Sequence, residues 1–127
     1  MKKARQTVPL PFEDETTEAV ADALGWGAAP GWLWSHFPAG ELRDAVTGAK
    51  LKRMGLQPGW PDFLLISPTG MHYWLELKRG RASLKKDQQV FALAMLERGV
   101  PWFLARSANE AIAKLNEWGA LRLRVSA

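Results

Sequence analysis

"GWPDFLLISPTGMHYWLELKRG", residues 59–80, holds two β-rich runs, DFLLIS and MHYWLELK, separated by Pro68-Thr69-Gly70. Proline early in a type I turn and glycine in a left-handed position suit a three-residue hairpin loop. Such a loop pairs Ser67 with Met71 and, in the same register, sets Asp62 directly opposite Glu76. Side chains alternate along a strand, so Lys78 shares the face of Glu76 two residues further on. One face of an otherwise apolar hairpin is therefore expected to gather two carboxylates and an ammonium group.

Opposed carboxylates repel, and burying them beside an apolar strand is unfavourable unless something cationic lies between them. A divalent metal meets that need. Magnesium takes hard oxygen ligands, keeps several waters, and commonly binds through one or two carboxylates together with phosphate oxygens. Asp62 and Glu76 would supply the pair, and the backbone carbonyl of Leu77 a third oxygen. Lys78 could then hold an attacking water or stabilise charge building on a phosphate. Each residue also has a plainer reading: Asp62 after Gly-Trp-Pro suits a turn, and Glu76 with Lys78 suits a solvated strand edge that discourages aggregation. Against the edge reading, residues 74–78 run Trp-Leu-Glu-Leu-Lys and place bulky apolar side chains on both faces.

Working outward, PFEDETTEAVADALG from Pro11 has proline near a helix start, acids in the first turn and Gly25 as a stop. GWLWSHF is short and aromatic and predicts a strand with Trp32 and Trp34 on one face. ELRDAVTGAKLKRMG predicts a weaker helix, interrupted at Gly48 and stopped at Gly55. After the hairpin, Ser83 is the expected cap of a helix over Leu84–Arg98, with Gly99 as its stop. Its inward stripe is Leu84, Gln88, Phe91 and Met95, and Gln88 is the only polar member. VPWFLARS predicts a strand, ANEAIAKLNEWG a helix with Ala108, Ile112 and Leu115 inward, and LRLRV a short closing strand. This order indicates an α/β fold, a mixed sheet flanked by helices.

The 127 residues, 47% of them apolar, suit one compact domain over residues 11–127 after a flexible segment, residues 1–10. The chain has no cysteine, which excludes disulfides and thiolate zinc sites. No apolar run is long enough to span a bilayer, so a soluble cytoplasmic protein is expected. The net charge of +4 is uneven. Residues 1–45 carry four Lys or Arg against seven Asp or Glu, and residues 46–127 carry thirteen against six. A basic half favours a polyanionic partner or, alternatively, a solubilising surface. Lys50, Lys52 and Arg53 precede the charged hairpin and Arg79, Arg81, Lys85 and Lys86 follow it, positions suited to contacting a nucleic-acid backbone. Trp60 is either core or a surface on which an unpaired or distorted base could stack.

KRMGLQPGWPDF, WLELKRG and LKKDQQVF together resemble the VRR-NUC branch of the PD-(D/E)XK nuclease superfamily, whose signature is Gly-x-Pro-Asp, then Glu-x-Lys, then a helix carrying Gln. The likeness spans residues 13–118. It implies a restriction-endonuclease-like core and metal-dependent cleavage of a DNA backbone, with Asp62 and Glu76 as ligands of Mg²⁺ or Mn²⁺. Lys78 would position or activate the water, and Gln88 would orient Lys78 or a phosphate. Family members also bring a glutamate from the first helix to the site, here Glu13, since Glu13, Thr17, Val20 and Leu24 share a helical face. The chain departs from the pattern at Ala39, where relatives carry asparagine in His-x-Pro-Asn-Gly. His36 is kept, but is not assigned to metal. Stand-alone members of that family are similar to junction-resolving enzymes that act as symmetric dimers, so the resemblance implies a homodimer acting on branched (Holliday) DNA in a bacterial or phage-infected cell. Two other readings are a DNA-binding subunit without catalysis and a nuclease subunit of a larger restriction or defence complex.

Overall fold

The computed structural model describes residues 12–37 and 45–122, with side chains from residue 15 in the first segment and residue 48 in the second. The chain runs α1 (Phe12–Gly27), β1 (Leu33–His36), α2 (Ala45–Arg53), β2 (Phe63–Ile66), β3 (His72–Leu77), α3 (Lys86–Glu97), β4 (Trp102–Ala105) and α4 (Ala108–Trp118). This is the expected order through the fourth helix. The segment 1–10 and most of the expected LRLRV strand lie outside the described residues, although Leu121 makes an isolated antiparallel bridge with Ala28. Among the described residues no helix is long and apolar enough to cross a membrane.

The hairpin takes the register set by its loop. Phe63 pairs with Leu75, Leu64 with Trp74, Leu65 with Tyr73 and Ile66 with His72. The Ser67 N–H donates to the Met71 carbonyl and the Gly70 N–H to the Ser67 carbonyl, both at 2.9 Å. Gly70, at φ 90°, takes a backbone conformation that residues with a Cβ rarely adopt. β1 pairs antiparallel with β2, His36 opposite Phe63. β4 pairs parallel with β3, Trp102 opposite Trp74. The sheet order is β1-β2-β3-β4, and the parallel pair needs the crossover that α3 supplies.

Alternation sorts the sheet into two faces. Phe63, Leu65, Leu75 and Leu77 are buried with Val20 and Leu24 of α1 and with Ile112 and Leu115 of α4. Each large side chain so buried contributes about 1.5–3 kcal/mol. Trp32, Trp34 and Tyr73 pack against this cluster, in keeping with the expected face of the aromatic strand. Trp74 belongs to the opposite face and meets Phe91 of α3, ring centroids 5.2 Å apart and nearly perpendicular. Glu76 lies two residues beyond Trp74 on that α3 side.

Three helix boundaries depart from expectation. Gly25 does not stop α1. Its exposed position tolerates glycine, and the helix runs on until the Ala28 N–H has reached the Leu24 carbonyl and the Ala29 N–H turns to the Ala120 carbonyl. Gly48 does not interrupt α2 but is buried within it; residues 41–44, its expected beginning, lie outside the described residues. Ser83 does not cap α3, which begins at Lys86 with Lys85 as its N-cap. The Gln88 side-chain oxygen accepts the Lys85 N–H at 2.8 Å, closing the first turn beyond the point where Ser83 could act. α4 is capped by Ser107, the Glu110 N–H donating to its hydroxyl at 3.1 Å.

Candidate active site

Asp62 sits just ahead of β2 and is held from two sides. The Phe37 N–H donates to its carbonyl at 2.6 Å, and His36 Nδ1 lies 2.9 Å from the same oxygen. A carbonyl only accepts, so Nδ1 carries the imidazole proton in this contact. The Asp62 side chain reaches across to β3, where Oδ2 accepts the Leu77 N–H at 2.7 Å. The residue opposite Leu77 in the hairpin register is Pro61, and proline has no N–H. The ladder thus cannot supply a donor from Pro61 to the Leu77 carbonyl, which lies on the same side of the strand as the N–H that Asp62 holds.

Glu76 is 3% exposed, the only buried acid among the described residues. Gln88 Nε2 donates to its Oε2 at a long 3.4 Å. Because the other end of that amide accepts the Lys85 N–H, Gln88 links the glutamate to the first turn of α3. Lys78, half-buried, follows on the same face, its backbone N–H donating to the Ala105 carbonyl at 3.0 Å. Asp62, Glu76, Leu77, Lys78 and Gln88 are therefore brought to one end of the sheet. Gln88 touches Glu76 directly, a contact the sequence did not indicate.

The donor chemistry here is that of a hard cation: two carboxylates on neighbouring segments and a carbonyl that the ladder leaves open. Among the described residues no group of three or more His, Cys, Asp or Glu gathers to hold a metal. An ion bound at this end would thus complete its shell with water or substrate oxygens. Glu13 lies in the first turn of α1, but its side chain is outside the described ones. Further along the same helix Val20 and Leu24 are buried and Thr17 is half-buried.

Close packing keeps the two halves of the site together. Gly59 has φ +88°, and a Cβ there would come within 2.5 Å of the Asp87 carbonyl oxygen. Only glycine lets the Gly59–Asp62 loop lie against the turn of α3 that carries Gln88. Trp60 is not wholly core, remaining 42% exposed. Arg106, at the end of β4, donates from Nη1 to the Gly80 and Ala82 carbonyls at 2.6 and 2.8 Å and so pins the loop leaving Lys78. Neither Arg106 nor the His36 contact was foreseen, and an arginine before a capping serine gives no sequence signal of such a role. Lys50, Lys52, Arg53, Arg79, Arg81, Lys85 and Lys86 are all exposed. The first three end α2, where the helix dipole also favours cations.

Solved structures share this architecture. One, described as "VRR_NUC domain protein", superposes with a TM-score of 0.65 at 20% identity, covering 90% of this chain and 93% of its own. Another, "VRR_NUC domain", has a TM-score of 0.58 at 20% identity and covers 85% of this chain and 97% of its own. The chain has the VRR_NUC fold. The likeness at this identity is one of fold, and it agrees with the resemblance carried by Gly59–Asp62, Glu76–Lys78 and Gln88. Comparison of the sequence with family models and with curated proteins finds no match. The VRR_NUC fold accounts for the mixed sheet and the flanking helices expected of a restriction-endonuclease-like core.

Proposed function

We propose that the protein is a Mg²⁺- or Mn²⁺-dependent endodeoxyribonuclease that hydrolyses phosphodiester bonds in branched DNA, four-way junctions among them. One observation carries this reading: in a VRR_NUC fold, an Asp62 carboxylate is drawn onto β3 by the Leu77 N–H, and the residue before Leu77 is a buried Glu76 that α3 holds through Gln88. Asp62, Glu76 and the Leu77 carbonyl are the ligands assigned to the ion. When bound, it would supply Lewis-acid polarisation of a phosphate and a lowered pKa for water. The chain's own groups do the rest. Lys78 orients the attacking water or donates to the oxygen on which charge develops. Gln88 fixes the Glu76 carboxylate, and Gly59 and His36 fix the backbone that carries Asp62. Water adds to phosphorus, one P–O ester bond breaks, and a hydroxyl and a phosphate monoester result.

The exposed cations of α2, of the loop after β3 and of the start of α3 are assigned to phosphate contacts, which give affinity without reading sequence. A homodimer suits a junction, since two subunits could each cut one strand. Exposed apolar side chains support self-association: Leu33 on the edge strand β1, and Leu93 and Leu96 beside a groove of about 590 Å³ between α3 and β4. The assay is incubation with labelled four-way junction, flap, nicked and linear duplex DNA in Mg²⁺, Mn²⁺ or EDTA, beside Asp62→Asn. Cleavage that needs metal, favours branched DNA and is lost in the variant while binding persists is the expected result. Binding without cleavage in every metal would instead favour a non-catalytic DNA-binding subunit, and equal cleavage of linear duplex would remove the junction preference.

A further inference from the structure

Two residues ahead of Asp62, the Trp60 indole is 42% exposed although aromatic rings brace it. Trp74 stands edge-on to it at 5.4 Å, and Phe91 leans on it at 5.0 Å. Phe37 in turn stands edge-on to Trp74 at 5.5 Å. An indole held this firmly is rigid, so little conformational freedom is lost when a ligand covers it. Beside it lies a cavity of about 200 Å³ lined by Phe37, Gly55, Leu56, Gln57 and Trp60. Its walls are apolar or aromatic except at Gln57, an exposed amide whose Nε2 donates to the Gly55 carbonyl at a long 3.4 Å. The wall at Gly55–Gln57 directly follows the basic last turn of α2, with Lys50, Lys52 and Arg53, and Asp62 follows Trp60 on the other side.

A flat apolar slot between exposed cations and a carboxylate pair complements a ligand with an aromatic face, a polar edge and an anionic tether. A nucleotide combines all three. In a paired duplex both faces of each base are covered by its neighbours, so only a base out of the stack can offer one. We propose that this cavity takes one unpaired nucleobase, stacked on Trp60 with Gln57 at its edge. The inference rests on the nuclease reading for its substrate class and deepens it. Bulges, flaps and single-strand gaps expose such bases, and the stacking site would favour them next to the carboxylates.

The test uses the full chain in EDTA and fluorescence anisotropy with three labelled duplexes: one with a single unpaired adenine, one with an abasic residue at that position, and one fully paired. The adenine duplex should bind about 5- to 150-fold more tightly than the abasic one. Trp60→Leu should abolish that difference while leaving the slope of log affinity against log salt unchanged. Trp60→Phe, which keeps a ring in the cluster, should retain part of it, with circular dichroism showing both variants folded. Equal binding of adenine and abasic duplexes by the wild-type protein would overturn the proposal with no variant needed, as would a folded Trp60→Leu protein that keeps the preference. The two readings fail separately. Metal-dependent cleavage without any base preference would refute the stacking site and spare the nuclease, whereas a base preference without cleavage in any metal would uphold the stacking site and refute the nuclease.

Discussion

Asp62 shows how much can hang on one side chain: its backbone carbonyl takes bonds from β1 and its carboxylate takes one from β3. Lys78 has a different task, because its ammonium is assigned to the water or the developing charge. Lys78→Ala should lower the cleavage rate about 10²–10⁴-fold while affinity for junction DNA, read by anisotropy, changes little. Gln88 acts through Glu76. Gln88→Ala should weaken Mn²⁺ binding about 10–100-fold, measured by calorimetry, whereas loss of activity at unchanged metal affinity would place its role elsewhere. The positions of Asp62, Glu76 and Lys78 on the hairpin were legible in the sequence because a loop of fixed length sets a register, and a register sets which residues lie opposite each other. His36 and Arg106 were not, since each binds a backbone carbonyl, an acceptor that every residue offers and no pattern of residue types reveals.

At the scale of elements, the meeting of the Gly59–Asp62 loop with α3 joins the two halves of the site. Gly59→Ala puts a Cβ against the Asp87 carbonyl in a backbone region unfavourable to alanine. It should cost about 1–3 kcal/mol of stability by urea unfolding and depress cleavage more than an equally destabilising change in α4 would. Strands and their faces were readable from alternation, and α4 from the apolar spacing that buries Ile112 and Leu115. Other helix ends were less so, because glycine stops a helix only where a partner claims the freed backbone groups. The helices run on through Gly25 and Gly48, and at α3 Gln88 prevailed over Ser83 as the residue that closes the first turn.

For the whole molecule, a mixed sheet flanked by helices followed from the sequence order of elements, but assembly did not, since an exposed leucine reads like any other until its surroundings are known. Leu93 and Leu96 border the groove beside β4. If two copies pair there, Leu93→Glu with Leu96→Glu should convert dimer to monomer in sedimentation velocity and reduce paired cutting of a four-way junction to single nicks. An unchanged sedimentation coefficient would move the interface elsewhere, with Leu33 on β1 the next surface to alter. The functional reading as a whole turns on a cation held between β2 and β3. Its most direct test is an anomalous difference map at the manganese edge from crystals soaked in Mn²⁺. One peak between the Asp62 and Glu76 carboxylates, within bonding distance of the Leu77 carbonyl, is expected. Well-ordered carboxylates with no peak between them at saturating Mn²⁺ would contradict the account.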